Sequence, residues 1–246
     1  MIQWSALTDA YGDAAQIPTL IDDWVSSPTE AKLSDLWGRL CHQGSVYSAS
    51  FAAIPLLHRA LPALPPSERR NALMLIGAIL SSWDRRGGAV PDEAVLGLVP
   101  DLAECTEASL DDQGVDESEF PYLLQAAAAF RGEALWGRVL DHLATEEFDG
   151  ICAHCNHALF LAMGSLGYFA SCDDYVRNTN VKRVPIVPAS PDALAPVGAW
   201  LYQQAIQRAK NTTAIGVKHI FGSTTCPNCS SAISVAEAIE GAYGTK

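Results

Sequence analysis

The chain has 246 residues, 49% of them apolar and 18% charged, with a mean hydropathy of +0.09. That apolar content is enough to bury a large core and excludes a disordered chain. The net charge of −12, from 28 acids against 16 Lys and Arg, repels phosphate backbones and argues against nucleic-acid binding.

Met1-Ile2-Gln3-Trp4-Ser5 carries no basic stretch leading into an apolar one, so no secretory signal is expected. No apolar run reaches the length of a membrane span; the longest, Ala72 to Leu80, suits a buried helix. Ile17, Leu20, Ile21, Trp24 and Val25 recur at helical spacing, with Pro18 in the first turn, where its missing N–H is harmless. Ser27-Pro28-Thr29-Glu30 reads as a stop and restart before the stripe Leu33, Leu36, Trp37 and Leu40. His42-Gln43-Gly44-Ser45 reads as a helix exit through a left-handed Gly44, followed by an N-cap at Ser45. The next helix carries Phe51, Ile54, Leu57 and Leu61, and Pro55 within it predicts a kink or a break. Pro65-Pro66-Ser67-Glu68 opens another, filled by Leu73, Leu75, Ile76, Ile79 and Leu80 and ended by Arg85-Arg86-Gly87-Gly88. Glu93 to Leu110 is helical with an interruption near Pro100.

From Gly87 to Phe130 the chain has no Lys or Arg and ten acids: Asp92, Glu93, Asp101, Glu104, Glu107, Asp111, Asp112, Asp116, Glu117 and Glu119. Such a stretch attracts basic surfaces, or simply keeps the protein in solution. Gln113-Gly114-Val115 is a loop, Tyr122 to Phe130 an alanine-rich helix, and Glu133 to Leu143 a further helix with Trp136 and Val139 buried. The phrase Ala-x-Ile-Pro-x-Leu at Ala15–Leu20 returns at Ala52–Leu57, about thirty-seven residues on, with a fainter echo at Val99-Pro100-Asp101-Leu102. On these residues the region 1–145 resembles HEAT-like and armadillo-like α-solenoids. The resemblance implies stacked antiparallel helix pairs whose concave face holds another macromolecule, and it carries over no catalytic residue. The alternative is an irregular helical bundle.

Glu146 to Gly150 leads to Cys152-Ala-His-Cys155, and a second pair, Cys226-Pro-Asn-Cys229, follows about seventy residues later. Each spacing lets two thiolates of a tight turn face one cation, and two pairs make a closed tetrahedral set suited to structural zinc. The alternative is two unrelated thiol pairs. His154, His157 and Cys172 are the candidates to replace one of the four cysteines. Cys41 and Cys105 lie in helical patterns and read as small buried apolar groups. The odd cysteine count favours a reducing cytoplasm.

Beyond Cys155 the period changes. Ala158 to Met163, the punctuation Gly164-Ser165-Leu166-Gly167, and Tyr168-Phe169-Ala170 predict a β-hairpin hanging from the first knuckle. Residues 171–192 read as irregular, with Val184 to Pro188 extended by its prolines. Asp192 to Ala209, Ala214 to Phe221 and Val235 to Ile239 read as helices. The knuckles resemble those of zinc ribbons, the second more closely. Those commonly have glycine after the second cysteine, where this chain has Asn156 and Ser230. The expected fold is thus mainly α: a helical-repeat region 1–145 and a zinc-stapled region 146–246 packed with it, carrying the short hairpin and terminal helices.

The chain has no phosphate-cradling glycine loop, Rossmann fingerprint, HExxH or nucleophile elbow. Cys41-His42 is adjacent in sequence without a third orienting group, and Asp111-Asp112 and Asp173-Asp174 lack the ligand pattern of a calcium loop. The expectation is a non-catalytic cytoplasmic protein-binding module with structural Zn²⁺ and no affinity for membranes or nucleic acid. Asp111, Asp112, Asp116, Glu117 and Glu119 would face a basic protein partner. Small acidic solenoid-like proteins of this description resemble immunity proteins of bacterial polymorphic toxins, which implies a basic toxin domain as partner. The competing expectation is a zinc-dependent hydrolase in which His154 or His157 ligates the metal and one position stays open.

Overall fold

The computed structural model describes residues 2–178 and 180–244. The chain forms two units: one runs to Val115 and adds Gln125–Arg138, and the other comprises Asp116–Leu124 and the chain from Val139. Both are built from short elements, and the fold is mainly helical.

The first unit opens with a 3₁₀ turn and a small hairpin, β1 (Thr8–Asp9) and β2 (Gly12–Asp13). Helices α1 (Ile17–Ser26) and α2 (Glu30–Leu40) follow, α2 capped by Thr29. Ser45 is not the next N-cap: with Val46 it forms β3 (Ser45–Val46), parallel to β4 (Asp84–Arg85), and its hydroxyl donates to Asp84 at 2.5 Å. Helix α3 (Ser48–Ala60) starts later instead. There Ser50 Oγ accepts from Tyr47 N at 2.8 Å and donates to the Leu40 carbonyl at 2.6 Å. Pro55 sits inside α3 without dividing it. In α1 and in α6 (Val99–Leu110) the equivalent proline is the second helical residue, so the repeated phrase occupies two different helical positions.

Helix α4 (Pro66–Ser81) lies against α3 and α6, with the short α5 (Glu93–Gly97) between α4 and α6 in sequence. Gly77 of α4 has a specific use: a Cβ there would stand 2.8 Å from Ala126 Cα, in the half of α7 (Phe120–Phe130) that belongs to this unit. The expected helix at 133–143 is instead two single turns, α8 (Trp136–Val139) and α9 (His142–Thr145). Its apolar spacing continues, but the hydrogen bonds tighten to i→i+3, with Leu143 N to Leu140 O and Ala144 N to Asp141 O.

The second unit is organised by an antiparallel sheet in the order β5 (Glu147–Ile151), β6 (Ala158–Gly164), β7 (Gly167–Ser171), β8 (Val184–Pro185). The β6–β7 hairpin is the expected one, closed by Ser165-Leu166; β5 replaces what the sequence reads as a lead-in. Phe148, Leu161 and Ala170 lie side by side across three strands and are fully buried. Helices α10 (Pro196–Gln207) and α11 (Asn211–Ile220) pack on each other, and β9 (Ser223–Thr225) pairs with β10 (Ala232–Ser234) before α12 (Val235–Tyr243) returns over β5. That return is close because Gly150 of β5 has no side chain: a Cβ would meet Leu161 at 2.9 Å and Ala238 of α12 at 3.4 Å. Among the described residues no helix is long and apolar enough to cross a membrane.

Candidate metal centre

Each cysteine pair sits in the loop of a hairpin, and the two loops share their length, two backbone hydrogen bonds and a left-handed residue at the same step. The strand pairs Ile151↔Ala158 and Thr225↔Ala232 close loops of equal length. In the first, Cys152 N donates to His157 O at 2.9 Å and Asn156 N to Cys152 O at 2.8 Å. In the second, Cys226 N donates to Ser231 O and Ser230 N to Cys226 O, both at 2.9 Å. Asn156 and Ser230 take the left-handed conformation, with φ of 56° and 62°. This is the position where ribbon knuckles place glycine, and here polar side chains adopt it in glycine's stead.

The β5–β6 and β9–β10 hairpins bring the four sulfurs together. Cys152 Sγ lies 3.8 Å from Cys229 Sγ and Cys155 Sγ 3.8 Å from Cys226 Sγ, with all four within 4.8 Å of one another. A disulfide needs about 2.05 Å, so these are free thiols. A tetrahedral ion with metal–sulfur bonds of about 2.3 Å requires sulfurs about 3.8 Å apart. The donor set therefore fits one ion and could hold it with no position left for water. Each loop's first cysteine, Cys152 or Cys226, is wholly buried, while Cys155 is half-buried and Cys229 exposed.

Local polar groups favour thiolate at the outer pair. The Asn228 side chain, reaching across from the second loop, donates to Cys155 Sγ at 3.5 Å and with the first loop's backbone lowers its pKa. The Ser231 hydroxyl and amide bring Cys229 down to about 6. Burial pushes Cys226 up to about 12 as a free thiol, so loading an ion there releases a proton. Lys182 Nζ donates to the Pro227 carbonyl at 2.9 Å, setting a positive charge beside the second loop.

His154 and His157 are exposed and stand outside the sulfur cluster, as does Cys172, whose thiol is raised by burial and by neighbouring negative charge. Among the described residues the four cysteines are the only group of His, Cys, Asp or Glu placed to hold a metal. Cys41 is buried and its thiol pushed up to about 11, while His42 Nδ1 bonds the Gly38 carbonyl at 3.2 Å, so the adjacent pair makes no nucleophile–base contact.

The five acids expected to face a partner fall in both units. Asp111 is exposed at the end of α6, on the same side as the exposed Asp101 and Glu104. Asp112 is committed to Arg70, a nearly buried guanidinium, at 2.7 Å. Asp116 caps the start of α7, accepting from the Ser118 hydroxyl and the amides of Ser118 and Glu119, which lowers its pKa. Glu117 accepts from Thr212 N at 3.3 Å, and Glu119 is half-buried. Sequence reasoning could not separate the charges that tie the fold from those left facing solvent, because their partners are distant in the chain. Comparison with family models, with curated proteins and with solved structures found no match.

Proposed function

We propose that the chain is a non-catalytic cytoplasmic protein-binding module whose second unit is held by a structural zinc ion on Cys152, Cys155, Cys226 and Cys229. The observation that carries this reading is the pair of 3.8 Å sulfur separations between two hairpins of equal loop length. Tetrahedral four-sulfur sites suit zinc or iron, and two CxxC turns closing on one position are the usual frame of structural zinc. Seven free cysteines are in keeping with a reducing compartment. No observation favours a mixed Cys/His hydrolase over this reading, since the sulfurs meet without His154 or His157.

The first unit supplies the binding surface. Helices α1 to α4 pack successively in chain order, in keeping with a HEAT-like stack of helix pairs. Asp101, Glu104 and Asp111 form an exposed acidic stripe on α6, and a basic partner would be steered toward it at a rate that falls with salt. The narrowest version is an immunity protein that neutralises a basic bacterial toxin. Elemental analysis and X-ray absorption of the purified full chain should give one zinc with four sulfur neighbours; a nitrogen or oxygen in the coordination shell would overturn the structural reading. Co-expression with the product of the neighbouring gene tests the partner. The expected result is a salt-sensitive complex weakened by Asp101→Asn, Glu104→Gln and Asp111→Asn together, and a neighbour that forms none would remove the immunity version.

A further inference from the structure

The four thiols of the metal centre are arranged crosswise. Cys152 and Cys226, the first cysteine of each loop, are fully buried, while Cys229 is exposed and Cys155 half-buried. Each outer sulfur stands against the inner sulfur of the other hairpin. Cys229 Sγ lies 3.8 Å from Cys152 Sγ, and Cys155 Sγ lies 3.8 Å from Cys226 Sγ. Solvent therefore reaches one member of each pair and not the other. The two outer sulfurs also differ: the Asn228 side chain donates to Cys155 Sγ at 3.5 Å and lies beside it, while Cys229 is the more exposed. Cys41, Cys105 and Cys172 stand outside this group.

A solvent-facing thiolate is the sulfur an oxidant meets first. The sulfenic acid formed there either takes up more oxidant or condenses with a neighbouring thiol. Here the neighbour is held in contact and shielded from solution, which favours condensation. Closing either pair to the length of a disulfide takes about 2 Å of sulfur movement.

We propose that the centre is a hydroperoxide-sensitive site in which the outer sulfurs are oxidised and the inner sulfurs resolve them. Two disulfides between the hairpins, Cys152–Cys229 and Cys155–Cys226, then take over the tie from the metal. The proposal rests on the zinc reading for the ion that is released. The Cys229 thiolate attacks one peroxide oxygen, the O–O bond breaks, and hydroxide leaves with a sulfenic acid formed on Cys229. The Cys152 thiolate attacks that sulfur, the S–S bond forms, and a second hydroxide leaves. Each disulfide thus consumes two thiolates and one peroxide. The two thiolates that remain no longer make a closed tetrahedral set, which frees a bound ion. Both disulfides run from one hairpin to the other, so the second unit stays tied after oxidation.

The test uses the full, zinc-loaded chain, with its zinc content measured first. Hydrogen peroxide is added, released zinc is followed with a chromogenic chelator, and remaining thiols are alkylated. Fragmentation mass spectrometry without reduction then maps the disulfides. One equivalent of peroxide should give mainly Cys152–Cys229; two should give both disulfides and one zinc released per chain. A thiol reductant with added zinc should restore the starting state. In limited proteolysis residues 150–230 of the oxidised chain should stay protected, where those of the reduced, chelated chain are cleaved. Cys172→Ser should react in the same way, which separates the centre from the outlying thiols. Disulfides within a loop, Cys229 carried to sulfinic acid without a disulfide, or zinc retained under excess peroxide would each overturn the proposal. A chain that purifies without zinc refutes the metal reading alone, and the same mapping on that reduced chain still tests the pairing.

Discussion

Asn156 and Ser230 hold one backbone conformation at the same step of two matched turns, with φ of 56° and 62°. The left-handed region costs an ordinary residue about 1–2 kcal/mol, and polar side chains bear it better than branched ones. Ser230→Gly should therefore stabilise the metal-loaded protein by up to about 1 kcal/mol, whereas Ser230→Val should destabilise it by about 1–2 kcal/mol. Urea denaturation of the two variants side by side checks the sign. A stabilising valine would contradict the geometry of the turn.

Metal removal should act on the second unit. An ion bound by the four cysteines would tie sulfurs 71 to 77 positions apart in the chain, and a cross-link over that span is worth about 4 kcal/mol in a chain-entropy account. Chelation, or Cys226→Ser, should make residues 150–230 readily cleaved in limited proteolysis while fragments of the first unit persist. Mass spectrometry of the fragments reads the result, and uniform protection after chelation would speak against a stapling role.

The Arg70–Asp112 pair should matter more than any solvated charge. Arg70 is nearly buried, and Asp112 also accepts from Gly114 N through its other oxygen. Asp112→Asn replaces that carboxylate by a neutral amide and should cost about 1–3 kcal/mol in chemical denaturation. Glu104→Gln, at an exposed position of α6, should cost much less. Equal losses from the two would show that Asp112 is an ordinary surface acid.

Acid should loosen the turn between β6 and β7. The Ser165 hydroxyl and amide hold the Glu146 carboxyl below its ordinary value of 4.5. A carboxylate with a lowered folded-state pKa contributes stability that is present above the unfolded-state value and is lost as pH falls from about 4.5 through the folded value. Glu146→Gln should flatten this acid limb and leave stability near pH 7 less affected. An unchanged slope below pH 4.5 in the variant would place the acid sensitivity elsewhere.

The cysteine set was legible because CxxC is local chemistry: four residues of sequence contain the whole turn. The β6–β7 hairpin was legible for the same reason, its Gly164 to Gly167 punctuation lying between two apolar runs. The β9–β10 hairpin was not, since three-residue strands such as Ala232–Ser234 are too short to display a period of two. Thr224 is buried there by pairing, a fact its own sequence does not carry. Ser45 offered good capping chemistry, but Asp84, 39 residues away, claimed its hydroxyl. The acidic run misled in the same manner: Arg70 lies 42 residues from Asp112, and no local pattern tells a tethered acid from a free one. Local signals named the ligands and most helices; the partners that decide a polar side chain's job come from across the chain.

Each hairpin offers a bound ion one inner sulfur and one outer sulfur. A competing chelator in solution would meet the edge formed by Cys229 and Cys155 first, so those two bonds would be the first to be surrendered. The inner pair would keep its grip while the outer edge opened and reclosed. Exchange would thus have a single doorway: its speed would belong to the outer edge, and the final affinity to all four sulfurs together.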